Sequence, residues 1–216
     1  KIILRSRKIA KRLSKGIEYL MKKNKIDVHI GSAKIISKDT VIVEKRKIKT
    51  KSIVIATGAR AKEFPGTPFD NSKVLTYKNA MSLKEIPKSI TIIGAGAIGV
   101  EFAYFYNAFG SKVSIVEAQN HLLPLEDVDV SKALEKSFTS QNIDLNLSAK
   151  VKDINIKNKV GVNLKDKVIK SDCVLVAIGV QGNFEDLFSD DFAIDIDKGF
   201  ISTIPMALTK SREIRF

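Results

Sequence analysis

Residues 89–117 read SITIIGAGAIGVEFAYFYNAFGSKVSIVE, and this stretch decides the fold. Ser89–Ile93 is a short apolar run of strand type, followed by Gly94, Gly96 and Gly99 in G-x-G-x-x-G spacing. The run from Ala97 has helical character and is closed by Gly110, and a second strand, KVSIVE, ends at Glu117. A dinucleotide site uses each glycine differently: for a tight turn, for close approach of backbone to pyrophosphate, and for close packing of helix on strand. The pyrophosphate then lies on the free N–H groups and positive dipole end of the helix that starts near Ala97. Glu117 stands at about the 20-residue distance expected of the acid that binds the ribose. Its carboxylate accepts hydroxyl hydrogen bonds and would repel a 2′-phosphate, and no Arg stands nearby to receive one. The pattern favours NAD over NADP, and FAD satisfies the same geometry. Glu101, early in the helix among apolar neighbours, has two readings: an acid favoured by the helix dipole, or a group facing the ligand near the reacting ring.

The bulk numbers narrow the class. A chain of 216 residues, 44% hydrophobic and 28% charged, has room for one sizeable core or two small ones. No apolar run approaches the roughly 20 residues that cross a membrane, and the opening KIILRSRKIAKRL lacks the apolar centre of a signal peptide. A single cysteine, Cys173, rules out an internal disulfide framework and fits a cytoplasmic location. The net charge of +13 is mostly Lys, spread along the whole chain without interleaved aromatics, so it reads as a solvated surface and not as a nucleic-acid site. No metal site is expected.

Outward from the glycine turn, RKIAKRLSKGIEYLMKKN sets Ile9, Leu13, Ile17, Leu20 and Met21 at helical spacing and predicts an amphipathic helix packed on a core. Short β-rich runs follow, IDVHIGSAKII, TVIVE and KSIVIATGAR, with SKDT as a hairpin turn. EFPGTPFDNS is a loop, and Pro87 marks a domain boundary just before the central stretch. Beyond Glu117 come a loop, a helix with Val130, Leu134 and Phe138 on one face, and the strands IDLNL, AKVKDINI and KVGVNL. DCVLVAIG is a continuous apolar run, the mark of a strand buried on both faces, and places Cys173 in the core.

The halves repeat. GSAKIISKDTVIVEKRKIKTKSIVIATG and LSAKVKDINIKNKVGVNLKDKVIKSDCVLVAIG each run from a Ser-Ala-Lys strand through an antiparallel excursion into an apolar strand, ending at Gly58 and Gly179. Only the second copy is introduced by a strand–glycine turn–helix–strand unit, so the expectation is that the first copy begins part-way through.

The glycine run with Glu101 and Glu117, the segment LLPLEDVDVSKALEKSF and the strand VLVAIG resemble the pyridine-nucleotide-binding domain of flavin disulfide oxidoreductases, most closely the dihydrolipoamide dehydrogenases. RSRKIAKRLSKGIEYLMKKNKIDVHIGSAKII and SIVIATGAR resemble the second part of that family's FAD domain. The resemblance implies an α/β protein with the FAD/NAD(P)-binding Rossmann-like three-layer fold, carrying an antiparallel β excursion and an incomplete second unit of the same type. It assigns residues 1–85 to a partial FAD-binding domain, 86–190 to an NAD-binding domain, and 191–216 to a divergent return towards the FAD domain.

On the same basis Gly94, Ala95, Gly96, Ala97, Ile98, Gly99, Val100 and Glu101 cradle NAD, Glu117 holds its ribose, Val151 flanks the adenine, and Gly179 lies on the nicotinamide side. Ala33, Thr57, Gly58 and Ala59 touch FAD, with Ala33 where the family often has glycine. IGVQGN replaces the family's more usual GRRPN. The family's first FAD glycine motif and redox cysteine pair are expected before Lys1, and its His–Glu acid–base pair lies in a dimerisation domain that these residues lack, so no catalytic residue is assigned here. Intact members are homodimers associated with 2-oxoacid dehydrogenase complexes. In them electrons pass from dihydrolipoamide to the cysteines, to FAD, and to NAD⁺ as hydride. This chain alone is expected to be inactive. Alternatives are a piece of another flavin-dependent NADH oxidoreductase and an inactive NAD-binding module.

Overall fold

A computed structural model of the chain describes residues 2–192 and 194–203. Ala61–Val180 form one compact unit, and the described residues before and after it form a second.

The chain opens with helix α1 (Ile2–Lys23), then strands β1 (Ala33–Ser37), β2 (Thr40–Val43), β3 (Arg46–Lys49) and β4 (Ala59–Ala61). β1, β2 and β3 form an antiparallel meander, with Ala33 opposite Val43 and Thr40 opposite Lys49. Lys38 and Asp39 make the predicted tight turn, where Asp39 accepts hydrogen bonds from the hydroxyls of Ser37 and Thr40 at 2.7 and 2.8 Å. The Asp39 carboxyl is held below its ordinary range, first by the bond from Ser37 and then by that from Thr40.

Two expectations in this segment are corrected. Helix α1 forms, but it does not pack on a core: none of its residues is buried, and Leu13 is 62% and Ile17 59% exposed. Periodicity shows which face of a helix is apolar and is silent on what covers it. Likewise, the apolar run through residues 52–58 forms no strand, and Val54 is 89% exposed. A strand needs neighbours for its N–H and C=O groups, and among the described residues no strand ladder reaches this run, whose bonds to the 182–185 segment come at its end, from Asn183 to Thr57 and Gly58. The expected strand over IDVHIGSAKII shortens to β1 for the same reason.

The compact unit takes in residues 61–85 as well as the central stretch. It contains β5 (Val74–Leu75), α2 (Tyr77–Ala80), β6 (Ser89–Ile93), α3 (Ala97–Ala108), β7 (Lys112–Val116), α4 (Val128–Ser140), β8 (Asp144–Asn146), β9 (Asp153–Ile156), β10 (Val160–Asn163), β11 (Val168–Ser171) and β12 (Cys173–Val176). Five strands form a parallel sheet in the order β5-β12-β6-β7-β8. β9, β10 and β11 form the second antiparallel meander, so both copies of the predicted excursion exist.

Successive residues of a strand face opposite sides of its sheet, which explains the apolar runs. Ile90, Ile92, Val113, Ile115, Cys173 and Leu175 face the helices, with Val100, Ala103, Tyr106 and Phe138 packed on them. Ile93, Val116, Val174 and Val176 face the meander and meet Ile154, Val160, Val162 and Leu164. The result is three layers: helices, parallel sheet, antiparallel meander. Of the residues expected on one face of α4, Val130 is 50% exposed, while Phe138 is buried. Tyr106 donates its hydroxyl to the Ala80 carbonyl at 2.6 Å, tying α3 to α2.

The chain continues through β13 (Val180–Gly182), which pairs with β4, and then β14 (Ile196–Asp197) and β15 (Phe200–Ile201), an antiparallel pair. The expected divergent tail beyond residue 203 lies outside the described residues. No helix among the described residues is long and apolar enough to cross a membrane.

Candidate dinucleotide-binding site

The glycine turn sits between the C-terminal end of β6 and the first turn of α3. Gly94 has a φ of +100°, a region that L side chains rarely adopt, and a Cβ there would collide with the Ala177 carbonyl. A Cβ on Gly99 would collide with the carbonyl of Gly94, so α3 approaches the turn only because position 99 has no side chain. Gly96 caps α3 without any side-chain hydrogen bond, and a Cβ on it would meet no protein atom within 4 Å. The absent side chain there leaves open space beside unsatisfied helix N–H groups, the arrangement that receives an anion.

Glu117 follows β7 directly, and its carboxylate is buried at 8% exposure. Oε2 accepts the Ala95 N–H at 2.7 Å and Oε1 accepts the Gln119 N–H at 2.8 Å. A carboxylate offers about four acceptor positions, so two remain for hydroxyl donors. The acid therefore holds the glycine turn from below while keeping capacity for a ribose. The turn is held further by Gly94 N–H to the Val116 carbonyl at 2.8 Å, and by Leu123 N–H to the Ala95 carbonyl at 2.8 Å.

A cavity of about 840 Å³ opens here, lined by Gly94, Gly96, Glu117, Gln119, Val151 and Gly179 among others. That volume falls within the roughly 300–1,000 Å³ usual for cofactor sites. The fit to a dinucleotide rests on the steric void at Gly96, the open helix terminus and the remaining lone pairs of Glu117. The cavity lining does not include Ala95, Ala97, Ile98, Gly99, Val100 or Glu101. Ala97 and Ile98 form the first turn of α3, Val100 is buried in the core beneath, and Glu101 lies on the exposed side of the helix. Reading the sequence missed His121, Pro124, Leu125 and Lys150, which also line the cavity. Lys150 is brought there by the bonds from Ser148 and Ala149 to Gln119 and Glu117, while His121, Pro124 and Leu125 lie on the loop after Glu117, where Leu123 N–H bonds the Ala95 carbonyl.

Cys173, in β12, is buried, and burial pushes its thiol up to about 12. Among the described residues no group of three or more His, Cys, Asp and Glu could hold a metal.

The second unit has a cavity of its own, about 1120 Å³, lined by Thr57 and Gly58 together with Phe184, Phe192 and Phe200. Thr57 donates its hydroxyl to the Asn183 carbonyl at 2.5 Å, and Asn183 returns an Nδ2 bond to the Thr57 carbonyl at 3.1 Å. Ala59 opens β4 and Ala33 opens β1, and neither lines the cavity. Arg60 is the organising cation that the sequence reading passed over. It donates to the Gly182 carbonyl, to Asn183 Oδ1 and through both terminal nitrogens to Glu185. This fork holds the Glu185 carboxyl down to about 2, chiefly through the Arg60 hydrogen bond.

The parallel sheet, glycine turn and acid-ended strand define an FAD/NAD-binding Rossmann-like protein. The family model for pyridine nucleotide-disulphide oxidoreductases matches residues 1–206, and the chain belongs to that family. Dihydrolipoyl dehydrogenase of Chlorobaculum parvum is 37% identical over 98% of this chain and 48% of its own length. A dihydrolipoyl dehydrogenase of Bacillus subtilis is 31% identical over 99% of this chain and 49% of its own. Among solved structures, the Cu(II) complex of the HOCl-induced flavoprotein disulfide reductase RclA from Escherichia coli superposes with a TM-score of 0.85 at 30% identity, covering 97% of this chain and 49% of that one. The chain thus spans about half the length of the relatives it matches.

Proposed function

We propose that Ala61–Val180 is the NAD-binding unit of a dihydrolipoamide dehydrogenase, and that the other unit contributes part of its FAD site. The observation that carries this reading is Glu117: a buried carboxylate bonded to the Ala95 N–H of the glycine turn at 2.7 Å, with lone pairs left for a ribose. In this reading Gly94, Gly96 and the first turn of α3 receive the pyrophosphate, Glu117 takes the adenosine ribose, Val151 flanks the adenine and Gly179 lies towards the nicotinamide. Ala95, Ala97, Ile98, Gly99 and Val100 shape the turn and helix. Glu101, exposed in the second turn of α3, approaches the ligand from outside the cavity. Thr57, Gly58, Ala59 and Ala33 serve the flavin.

The activity proposed for the whole enzyme is oxidation of dihydrolipoamide by NAD⁺ through FAD, in the cytoplasm and in company with 2-oxoacid dehydrogenase complexes. This chain has one cysteine, Cys173, and it is buried in the sheet. A dithiol relay therefore does not arise from these residues, and the chain by itself is proposed to bind nucleotide without turning over substrate. The likeness to the Escherichia coli flavoprotein favours a second reading, a disulfide reductase with a substrate other than lipoamide.

Calorimetric titration of the purified chain with NADH and with NADPH tests the proposal. Saturable NADH binding, at least about tenfold tighter than NADPH, is expected from the loss of one charge-assisted hydrogen bond and the added repulsion at Glu117. NADPH binding as tightly as NADH, or no binding of either, overturns it.

A further inference from the structure

The adenosine end of the cavity holds a cation as well as an acid. Ser148 N–H donates to the Gln119 carbonyl at 2.7 Å, and Ala149 N–H donates to the Glu117 carbonyl at 2.9 Å. These two bonds lay residues 148–149 alongside residues 117–119, and Lys150 follows immediately. Lys150 and Glu117 consequently line one cavity, although 32 positions separate them in the sequence (150 − 117 − 1). Lys150 is exposed and takes part in none of the salt bridges among the described residues. No salt bridge among the described residues joins it to Glu117, whose carboxylate oxygens each accept one backbone N–H. Among the described residues Lys150 is the one Lys or Arg lining this cavity, and His121, which lines it too, has its Nδ1 3.0 Å from the Leu122 carbonyl.

An exposed ammonium lining the same cavity as a buried carboxylate has a direct consequence for nucleotide choice. A 2′-phosphate on the adenosine ribose carries nearly two negative charges and several strong acceptors. Glu117 opposes it, while Lys150 is a mobile point charge on a flexible stem, suited to phosphate. We propose that Lys150 is a latent 2′-phosphate receptor, so that the NADH-to-NADPH preference of this site is set by the opposition of Glu117 and Lys150 rather than by Glu117 alone. The proposal rests on the reading of this cavity as a nicotinamide dinucleotide site.

The readout is the ratio of NADPH to NADH affinity, measured by calorimetry on the full chain. Glu117→Gln removes the charge and retains an oxygen for one of the two N–H donors. It should raise the ratio about tenfold or more, and adding Lys150→Ala should return most of that gain, a coupling on the scale of one charge-assisted hydrogen bond. Because Glu117 is buried, its variant has a structural risk. Lys150→Ala alone, at an exposed position, provides an independent measurement: at low salt it should lower the ratio about fivefold, and added salt should erase the difference. A ratio that rises in Glu117→Gln and is indifferent to residue 150 overturns the role of Lys150. Failure of every variant and of the unmodified chain to bind NADH overturns the underlying site assignment instead.

Discussion

At position 99 the difference between hydrogen and methyl decides whether α3 can meet its turn. Gly99→Ala places a Cβ into the Gly94 carbonyl, which is backbone and cannot swing aside. The expected cost is about 1–3 kcal/mol, the range for overpacking a close contact, read as a lowered urea midpoint with unchanged slope. Gly96→Ala makes the contrast. Its Cβ meets no protein atom within 4 Å, so stability should hold while NADH affinity falls. Equal destabilisation by both substitutions would contradict the division of labour between the glycines.

Cys173 gives a pH dependence with a definite sign. Burial raises its thiol from 9.0 to about 12, so the unfolded chain releases the proton first. The stabilisation is complete below pH 9 and is lost as pH rises towards about 12. Burial raises the Tyr106 phenol as well. The thiol should resist alkylation at pH 8 until the chain is unfolded, and rapid modification of the native protein would place it elsewhere.

At the scale of elements, the bond from Tyr106 to the Ala80 carbonyl joins α3 to the capped turn of α2. Tyr106→Phe leaves that carbonyl without its partner in a buried place and should cost about 1–3 kcal/mol in denaturant titrations. In the other unit, Arg60 and Glu185 link residue 60 to the segment 182–185. Glu185 has its carboxyl depressed from 4.5 to about 2 by that arginine, so its contribution is present above pH 4.5 and disappears as pH falls through about 2. Glu185→Gln should flatten the acid limb of that unit's stability, and an unaltered acid limb would show that the fork adds nothing beyond its exposed position. Helix α1 shows a limit of pattern reading. The 3.6-residue period of Ile9, Leu13 and Ile17 correctly gave a helix, and only the fold could show its apolar side uncovered. A hydrophobic dye should bind this face, and Leu13→Lys with Ile17→Lys should abolish the binding.

At the scale of the whole molecule, legibility followed how local each interaction is. Ser89 to Glu117 contains its own strand, turn, helix and partner strand, and the structure returns all four at nearly the expected bounds. The apolar runs ending at Gly58 and Gly179 look alike in sequence, yet only β12 became a strand, because β5 and β6 flank it. Lys150 was illegible for a related reason: its position depends on a ladder to residues 117–119 that no short window contains. Arg60 was passed over because its partners, from Gly182 to Glu185, are supplied from the far end of the chain.

The most direct test of the central claim is amide hydrogen exchange on the full chain with and without NADH. The unliganded protein should exchange slowest in β6, β7 and β12, whose residues are nearly all buried, and fast through residues 53–56, which belong to no strand. Adding NADH should slow exchange at residues 95–99 and 148–151, where the turn and the adenosine end meet the ligand, and leave residues 33–49 unchanged. Protection confined to residues 33–58, or none at the glycine turn under saturating NADH, would contradict the placement of the dinucleotide on Gly94, Gly96 and Glu117.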